Sequence, residues 1–170
     1  MTRRRKNAKG STILEFSLVG IPLIFVLIST FEIGRGMWIY HTVSYAVKEG
    51  TRFAIVHGSS CSVAPNACAV TLGNVATRIR QSAGGLDPAR MSLTFTAANG
   101  ATTTCMLNVC LNSATRWPPA GANSPGVDDV QIAATYPFQS VMAMVWPGAG
   151  KVEVMGRYDM PASSRERIQF

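Results

Sequence analysis

The feature that most constrains this chain is an apolar run of 21 residues from Ser11 to Phe31, in which Glu15 is the one ionisable side chain. At about 1.5 Å per residue, a helix of that length spans the roughly 30 Å hydrocarbon core of a bilayer. Pro22 lies inside the run and predicts a kink, which membrane helices tolerate when neighbouring groups satisfy the freed carbonyl. The run therefore predicts a single transmembrane helix whose first partner is the lipid bilayer.

The positive charge of the chain is concentrated in front of this run. Five basic residues with no acidic residue among them supply most of the net charge of +7 and leave +2 when they are removed: Arg3, Arg4, Arg5, Lys6 and Lys9. The remainder has no concentrated basic field, so no nucleic-acid partner is expected. Positive residues beside a span stay in the cytoplasm, which predicts a cytoplasmic N-terminus and an extracytoplasmic C-terminal part.

The residues at the end of the run distinguish a permanent membrane anchor from a secretory signal that is cleaved off. A secretory signal usually has a shorter apolar region and ends in small residues. Here the run ends with Ser29, Thr30 and Phe31, and phenylalanine fits poorly before such a cleavage site. We therefore expect the segment to remain attached as an anchor.

Glu15 needs its own explanation, because a carboxylate among apolar residues costs several kcal/mol unless it is paired. It stands in the order basic residue, glycine, four residues, glutamate, aromatic, from Lys9 to Phe16. This order resembles the class III signal of type IV prepilins. The resemblance implies a membrane peptidase that cuts between Gly10 and Ser11, and a glutamate that sets register against the amine of its own or a neighbouring subunit. The alternative is a glutamate that only reaches headgroup water.

The helical pattern continues beyond the span. Apolar residues recur at three- and four-residue steps and predict a helix to about Ala54 or Val56. Trp38 and Tyr40 fall where an interfacial aromatic belt is expected. Glu32 and Arg35 stand three apart and can pair on the helix surface, with ordinary surface charges as the alternative.

The residues from Ser11 through Val56 resemble the TadE-like family, the minor pseudopilins of Tad (Flp-type) pilus systems. The resemblance is carried by Glu15, Phe16, Pro22, Glu32, Arg35 and the segment 45–53. It implies a structural component of pilus assembly, adhesion or secretion in the bacterial inner membrane. The implied partners are the prepilin peptidase, other pilins and pseudopilins, and Tad inner-membrane assembly proteins.

Three alternatives stay open. Within the same systems they are a TadF-like or TadG-like pseudopilin and a major fibre subunit. Outside them, the chain would be a generic single-pass membrane protein with an exported protein-binding domain, not processed at Gly10.

The remaining sequence predicts a small α+β domain with a pilin-like, mostly antiparallel sheet of about four strands. An amphipathic helix is expected within 69–83, and strand patterns cover 91–95, 103–111, 130–136 and 152–158. An exposed loop is expected at 113–126, a helical turn at 139–146 and a surface tail at 162–170. The expected organisation is a leader at 1–10, a transmembrane helix at 11–31, its continuation at 32–57 and an extracytoplasmic domain at 58–170.

Four cysteines follow the span on its extracytoplasmic side, where oxidation is permitted, and an even number there favours two disulfides: Cys61, Cys68, Cys105 and Cys110. Three connectivities are possible. We prefer the two local pairs, Cys61 with Cys68 and Cys105 with Cys110. Two cysteines on the same strand can be bridged only if the strand bends between them. A zinc site is the weaker alternative, because six residues separate the first pair and structural zinc ligands are usually closer.

Catalytic patterns are missing. His41 and His57 are isolated, and residues 148–151 lack the first glycine and the hydroxyl of a phosphate-binding loop. Asp128 and Asp129 are adjacent and would point to opposite faces of a strand. We therefore expect no enzyme activity, cofactor, metal or small-molecule substrate.

Overall fold

The computed structural model describes residues 9–57, 70–140 and 157–169. The elements follow in the order α1 (Lys9–Val56), α2 (Leu72–Ser82), β1 (Ser92–Thr96), β2 (Thr102–Met106), α3 (Leu107–Cys110), β3 (Asp129–Gln139) and β4 (Arg157–Arg167). The strands form one sheet in the order β2-β1-β3-β4, with every neighbouring pair antiparallel. The expected α+β class, a long N-terminal helix followed by a small four-stranded domain, is confirmed.

Helix α1 has two halves with different surroundings. It is continuous through Pro22, where the kink stays a prediction, and it ends at Val56, the end that the pattern predicts. Its first half is exposed, and burial begins at Glu32, which is 9% exposed. From there one side packs on the sheet and on α2, and its buried apolar residues recur at helical spacing: Ile39, Val43, Ala46, Val47 and Ala54.

Helix α2 closes one side of the core. The side chain of Thr71 caps its N-terminus by accepting a hydrogen bond from the Asn74 amide at 3.2 Å. Its apolar side is buried, including Val75 and Ile79, whereas Arg78 is exposed. The amphipathic helix expected within 69–83 is therefore confirmed.

The sheet buries one face against α1. In β1 and β3, buried residues alternate with partly exposed ones, because side chains along a strand point to opposite faces. The inner face carries Leu93, Phe95, Val130, Ile132, Ala134 and Tyr136. The outer face is rich in hydroxyl side chains. Oγ1 of Thr94 in β1 lies within hydrogen-bond distance, 3.1 Å, of Oγ1 of Thr104 in β2. An alternating pattern with one buried face is typical of an antiparallel sheet.

The strand predicted at 103–111 is shorter than expected. β2 ends at Met106, and the chain turns into the short helix α3. Leu107 and Cys110 stand three residues apart in α3 and are both buried, 1% exposed each. A continued strand would send these two residues to opposite faces, so the turn is what allows both to enter the core.

The tail expected at the surface forms part of β4, the edge strand of the sheet. Residues 162–167 belong to β4, which pairs with β3 along its length. Ile168 is fully buried, and its amide donates to the carbonyl of Asp128 at 3.0 Å. The Gln169 amide donates to the carbonyl of Ile55 at 3.1 Å, which joins the tail to the end of α1. Residues 162–167 are exposed or partly exposed, as expected of a surface segment, but the prediction missed their pairing with β3 and the burial of Ile168.

Two further predictions are only partly met. Residues 113–126 do form a loop between α3 and β3, but Trp117 is 4% exposed and packs edge-on against Phe95, so the loop is not wholly exposed. In the turn predicted at 139–146, Gln139 is instead the last residue of β3, and 141–146 lie outside the described residues. Residues 152–156 of the fourth strand pattern also lie outside them, while Tyr158 is in β4.

Candidate membrane-anchoring and assembly surface

The first half of α1 is a bare apolar surface. Its large apolar side chains are well exposed, from Phe25 at 42% to Phe16 at 78%. Among the described residues, α1 is the one helix long and apolar enough to cross a membrane, judged by length and composition. Such a surface is unfavourable in water and suits the interior of a bilayer.

Three hydroxyl groups in this half are satisfied within the helix. Ser17 donates to the carbonyl of Ile13 at 2.9 Å. Ser29 and Thr30 donate to carbonyls one turn earlier, each at 2.8 Å. A hydroxyl without a partner is costly in hydrocarbon, where no water can replace the bond. These three hydroxyl groups are therefore compatible with burial in lipid.

The residues of the prepilin-like signal lie at the start of this surface. The backbone of Gly10 and Ser11 is helical, because α1 begins at Lys9. Glu15 follows one turn after Ser11, in the exposed part of the helix. Cleavage after Gly10 and a register role for Glu15 remain predictions at this point.

Glu32 and Arg35 lie where α1 meets the folded domain. Nη2 of Arg35 is 3.4 Å from Oε2 of Glu32, so the expected pair is present. The same nitrogen donates to the carbonyl of Gln139, the last residue of β3. The guanidinium carbon lies 4.7 Å from the centre of the Phe138 ring. Arg35 therefore also joins α1 to the end of β3.

A groove opens next to this junction. It has a volume of about 410 Å³ and is lined by Leu27, Ile28, Phe31, Glu32 and Arg35. Three apolar residues of the run thus meet two charged residues where the apolar run ends. The groove marks the change from an isolated helix to a helix packed on a domain.

The aromatic residues expected at an interface follow this junction. Trp38 is 52% exposed, and Tyr40 is 49% exposed. The Trp38 ring lies against Gly85, where an added β-carbon would come within 3.0 Å of it. Gly85 has a φ of +80°, a conformation that glycine adopts readily. Trp38 therefore packs partly on the domain, whereas Tyr40 projects from α1.

One of the two preferred disulfides is present. Cys105 and Cys110 are bonded, with 5.7 Å between their α-carbons. The turn into α3 supplies the bend that a bridge between these residues requires. Cys61 and Cys68 lie outside the described residues, so their pairing remains a prediction.

The two adjacent aspartates have separate structural contacts. Oδ2 of Asp128 accepts a hydrogen bond from the Ser124 amide at 2.7 Å. Nε of Arg165 donates to Oδ2 of Asp129 at 2.6 Å, between β3 and β4. This hydrogen bond, with the positive charge of Arg165, lowers the pKa of Asp129 below its usual value. The same pair raises the pKa of Arg165.

Comparison with known proteins adds one finding. The family model of the TadE-like protein matches residues 10–52. The resemblance stated from the sequence is thereby confirmed over this segment, which starts at Gly10 and covers most of α1. The match points to a component associated with Tad pili, a structural family, and is consistent with membrane anchoring. No curated protein and no solved structure matches the chain significantly.

Sequence reasoning missed two features of the region where α1 meets the sheet. The bond from Arg35 to the Gln139 carbonyl joins residues 104 positions apart, and no local pattern signals it. The fourth strand was also ended too early, at Tyr158, although Met160 and Ala162 continue its alternation of apolar positions. That alternation was the available signal for a strand with one face towards α1.

Proposed function

We propose that this chain is a TadE-like minor pseudopilin, a membrane-anchored structural component that assembles a Tad (Flp-type) pilus, adhesion or secretion system. Its role is assembly by helix and domain contacts, with no catalytic function. The observation that carries the proposal is the family match, which begins at the glycine of the prepilin-like signal and ends within α1.

The proposed processing step uses the start of α1. A prepilin peptidase removes residues 1–10 and leaves Ser11 as the mature N-terminus. Glycine at the cut offers no side chain to obstruct an extended backbone in the peptidase cleft. In the assembled state, Glu15 offsets the new amine of its own or a neighbouring subunit. A buried ion pair of this kind sets register more than it adds stability.

The proposed placement follows from the charges around the span. Residues 11–31 cross the bacterial inner membrane once, with the basic leader in the cytoplasm and the domain from residue 58 outside it. Residues 32–57 carry the helix from the bilayer into the domain. The partners are the prepilin peptidase, other pilins and pseudopilins, and Tad inner-membrane assembly proteins.

Intact-mass analysis of the membrane-bound chain tests the processing step. In a host that has the prepilin peptidase, we expect the mature chain to begin at Ser11, and in a matched host without it we expect the full chain. Gly10→Leu should block the cut. Gly20→Leu is the matched control, because Gly20 lies ten residues further along the same helix and outside the signal.

An uncut chain in the peptidase-containing host would contradict the proposal. It would favour a generic single-pass membrane protein whose exported domain binds another protein. Glu15→Gln then tests the assembly role: the chain should still be cut, but should no longer assemble. Glu49→Gln is the control, because Glu49 pairs with Arg52 in the part of α1 that packs on the domain. Normal assembly of Glu15→Gln would refute the register role.

A further inference from the structure

The side of α1 that carries the folded domain continues into the apolar run. Its residues recur at steps of three and four, the spacing that keeps side chains on one side of a helix: Ile28, Glu32, Arg35 and Ile39. The domain buries Ile39, and Glu32 is where that burial begins. Ile28 is also partly buried, whereas every other large apolar side chain from Ile13 to Phe31 is exposed. The groove beside Ile28 therefore lies on the side of α1 that faces the domain.

Strand β3 runs along α1 towards this groove. The tail after β4 joins the start of β3 to the end of α1, because its amides donate to the carbonyls of Asp128 and Ile55. At the other end of β3, the carbonyl of Gln139 accepts from Arg35. Between Ile55 and Arg35 the helix covers about 30 Å, and β3 covers about 33 Å. The strand therefore lies nearly parallel to the helix axis, and its last residue points towards the apolar run.

The end of β3 lies at the level of the lipid headgroups. In the proposed placement the hydrocarbon core ends near Phe31, and Gly36 lies about 8 Å beyond Phe31 along the helix. A β-carbon added to Gly36 would stand 3.8 Å from the Phe138 ring. The headgroup layer adds about 5–8 Å to each side of the core. Arg157, the first residue of β4, pairs with Gln139, so the chain between the two strands leaves and returns at this level.

The connection between β3 and β4 is longer and more apolar than a hairpin needs. Residues 141–156, which lie outside the described residues, number 16, whereas hairpin loops usually take about two to five. The first six are apolar and therefore unfavourable in water: Val141, Met142, Ala143, Met144, Val145 and Trp146. Half of the connection, fully extended, reaches about 26 Å. The groove extends only about 12 Å from Arg35 to Leu27, so the connection is long enough to fill it and return.

We propose that the apolar segment 141–146 occupies the groove on α1 and covers Leu27, Ile28 and Phe31. The contact between domain and helix then continues to about 6 Å inside the apolar run. Two segments of the chain, rather than α1 alone, join the domain to its span and fix the direction of the span. The inference rests on the proposed function in one respect, the level of the bilayer along α1. It adds a second part of this chain that enters the lipid.

Photocrosslinking of the full chain in native membranes tests this contact. The probe variant is Ile28→benzoylphenylalanine, and the matched control is Val26→benzoylphenylalanine. Val26 lies within about 3 Å of the same depth but about 160° around the helix, where it is 62% exposed. We expect peptide mapping to find the probe at position 28 linked to residues 141–156 of the same chain. The yield should be several-fold above that of the control, in a species of single-chain mass.

A second measurement covers the case in which the bulky probe disturbs the groove. Met144→Cys should react several-fold more slowly with a membrane-impermeant maleimide than Ala101→Cys, because Ala101 is exposed between β1 and β2. The labelling of the unsubstituted chain is subtracted from both. Equal labelling rates, equal crosslinking from position 26, links to lipid alone or a product with another chain would each overturn the inference.

The design separates this inference from the proposed function. The contact lies within one chain, so the host lacks Tad assembly proteins and the result does not depend on the assembly role. Alkaline extraction of the same membranes reports whether α1 is inserted. A wrong membrane placement is thereby distinguished from a missing contact in the groove.

Discussion

Gly50 lies where α1 crosses α2, and no side chain fits there. A β-carbon on Gly50 would stand 2.4 Å from Cγ1 and 2.8 Å from Cδ1 of Ile79. Carbon atoms in contact normally lie about 3.5–4.0 Å apart. Gly50→Ala therefore requires the two helices to separate by about 1 Å or Ile79 to leave its position. We expect this substitution to destabilise the domain.

Two opposing contributions set the change in the free energy of unfolding that Gly50→Ala causes. Overpacking a buried contact costs about 1–3 kcal/mol. Replacing glycine by alanine inside a helix gains about 0.8–1 kcal/mol. Gly34→Ala lies in the same helix and has only the stabilising gain from replacing glycine by alanine. It has no overpacking cost, because no atom lies within 4 Å of its added β-carbon. The difference between the two variants is therefore the overpacking cost itself, about 1–3 kcal/mol.

Thermal unfolding of the full chain in detergent, followed by near-ultraviolet circular dichroism, measures this difference. The folded part of this chain lies between the sizes for which about 1 kcal/mol corresponds to about 4–8 °C and to about 2–4 °C, so we expect about 4 °C in Tm. Gly50→Ala should therefore melt at least about 4 °C below Gly34→Ala. In an Ile79→Ala background the clash is gone, so adding Gly50→Ala there should cost much less.

Two results would refute the reasoning. The first is a Gly50→Ala chain as stable as Gly34→Ala, which would mean that the helices separate without cost. The second is an undiminished loss in the Ile79→Ala background, which would place the cause of destabilisation elsewhere than at the contact with Ile79.

Three further predictions concern contacts outside the span. The pKa of Asp129 is lowered in the folded chain, so its bond to Arg165 contributes stability above about pH 4. The stability gap between the native chain and Asp129→Asn should therefore shrink in acid titrations that fall below this pH. Non-reducing peptide mapping should find Cys105 linked to Cys110, and reduction should cost about 2 kcal/mol in a denaturant titration. Arg35→Lys should lose its contacts to the end of β3 and about 1–3 kcal/mol in the same titration.

The long helix was predictable because its signals are local. An apolar run longer than a bilayer is thick, followed by apolar residues at helical steps, identifies α1 without knowledge of any distant contact. The alternation in β1 and β3 is equally local, since one buried face repeats every second residue. The family resemblance also lies in this local part of the chain.

The parts that were missed depend on partners far away in sequence. The second half of β4 contains Ser163, Ser164, Arg165, Glu166 and Arg167, which show no apolar alternation. It is a strand because β3 pairs with it. The backbone hydrogen bonds of this pairing require no particular side chains, so the sequence of a polar segment does not reveal them. Similarly, the turn at α3 follows from the burial of Leu107 and Cys110 together.

The two kinds of surface on α1 predict two separable kinds of variant. On the domain side, Gly50, Val43 and Ala46 are enclosed, so a change there acts on the free energy of unfolding. Met37 and Tyr40 are 57% and 49% exposed, so a change there leaves most of the packing in place. Tyr40→Ser should therefore alter the free energy of unfolding by no more than about 0.5 kcal/mol, whereas Val43→Ser should cost clearly more. Equal losses in denaturant titrations of the two variants would mean that Tyr40 packs on the domain as Val43 does.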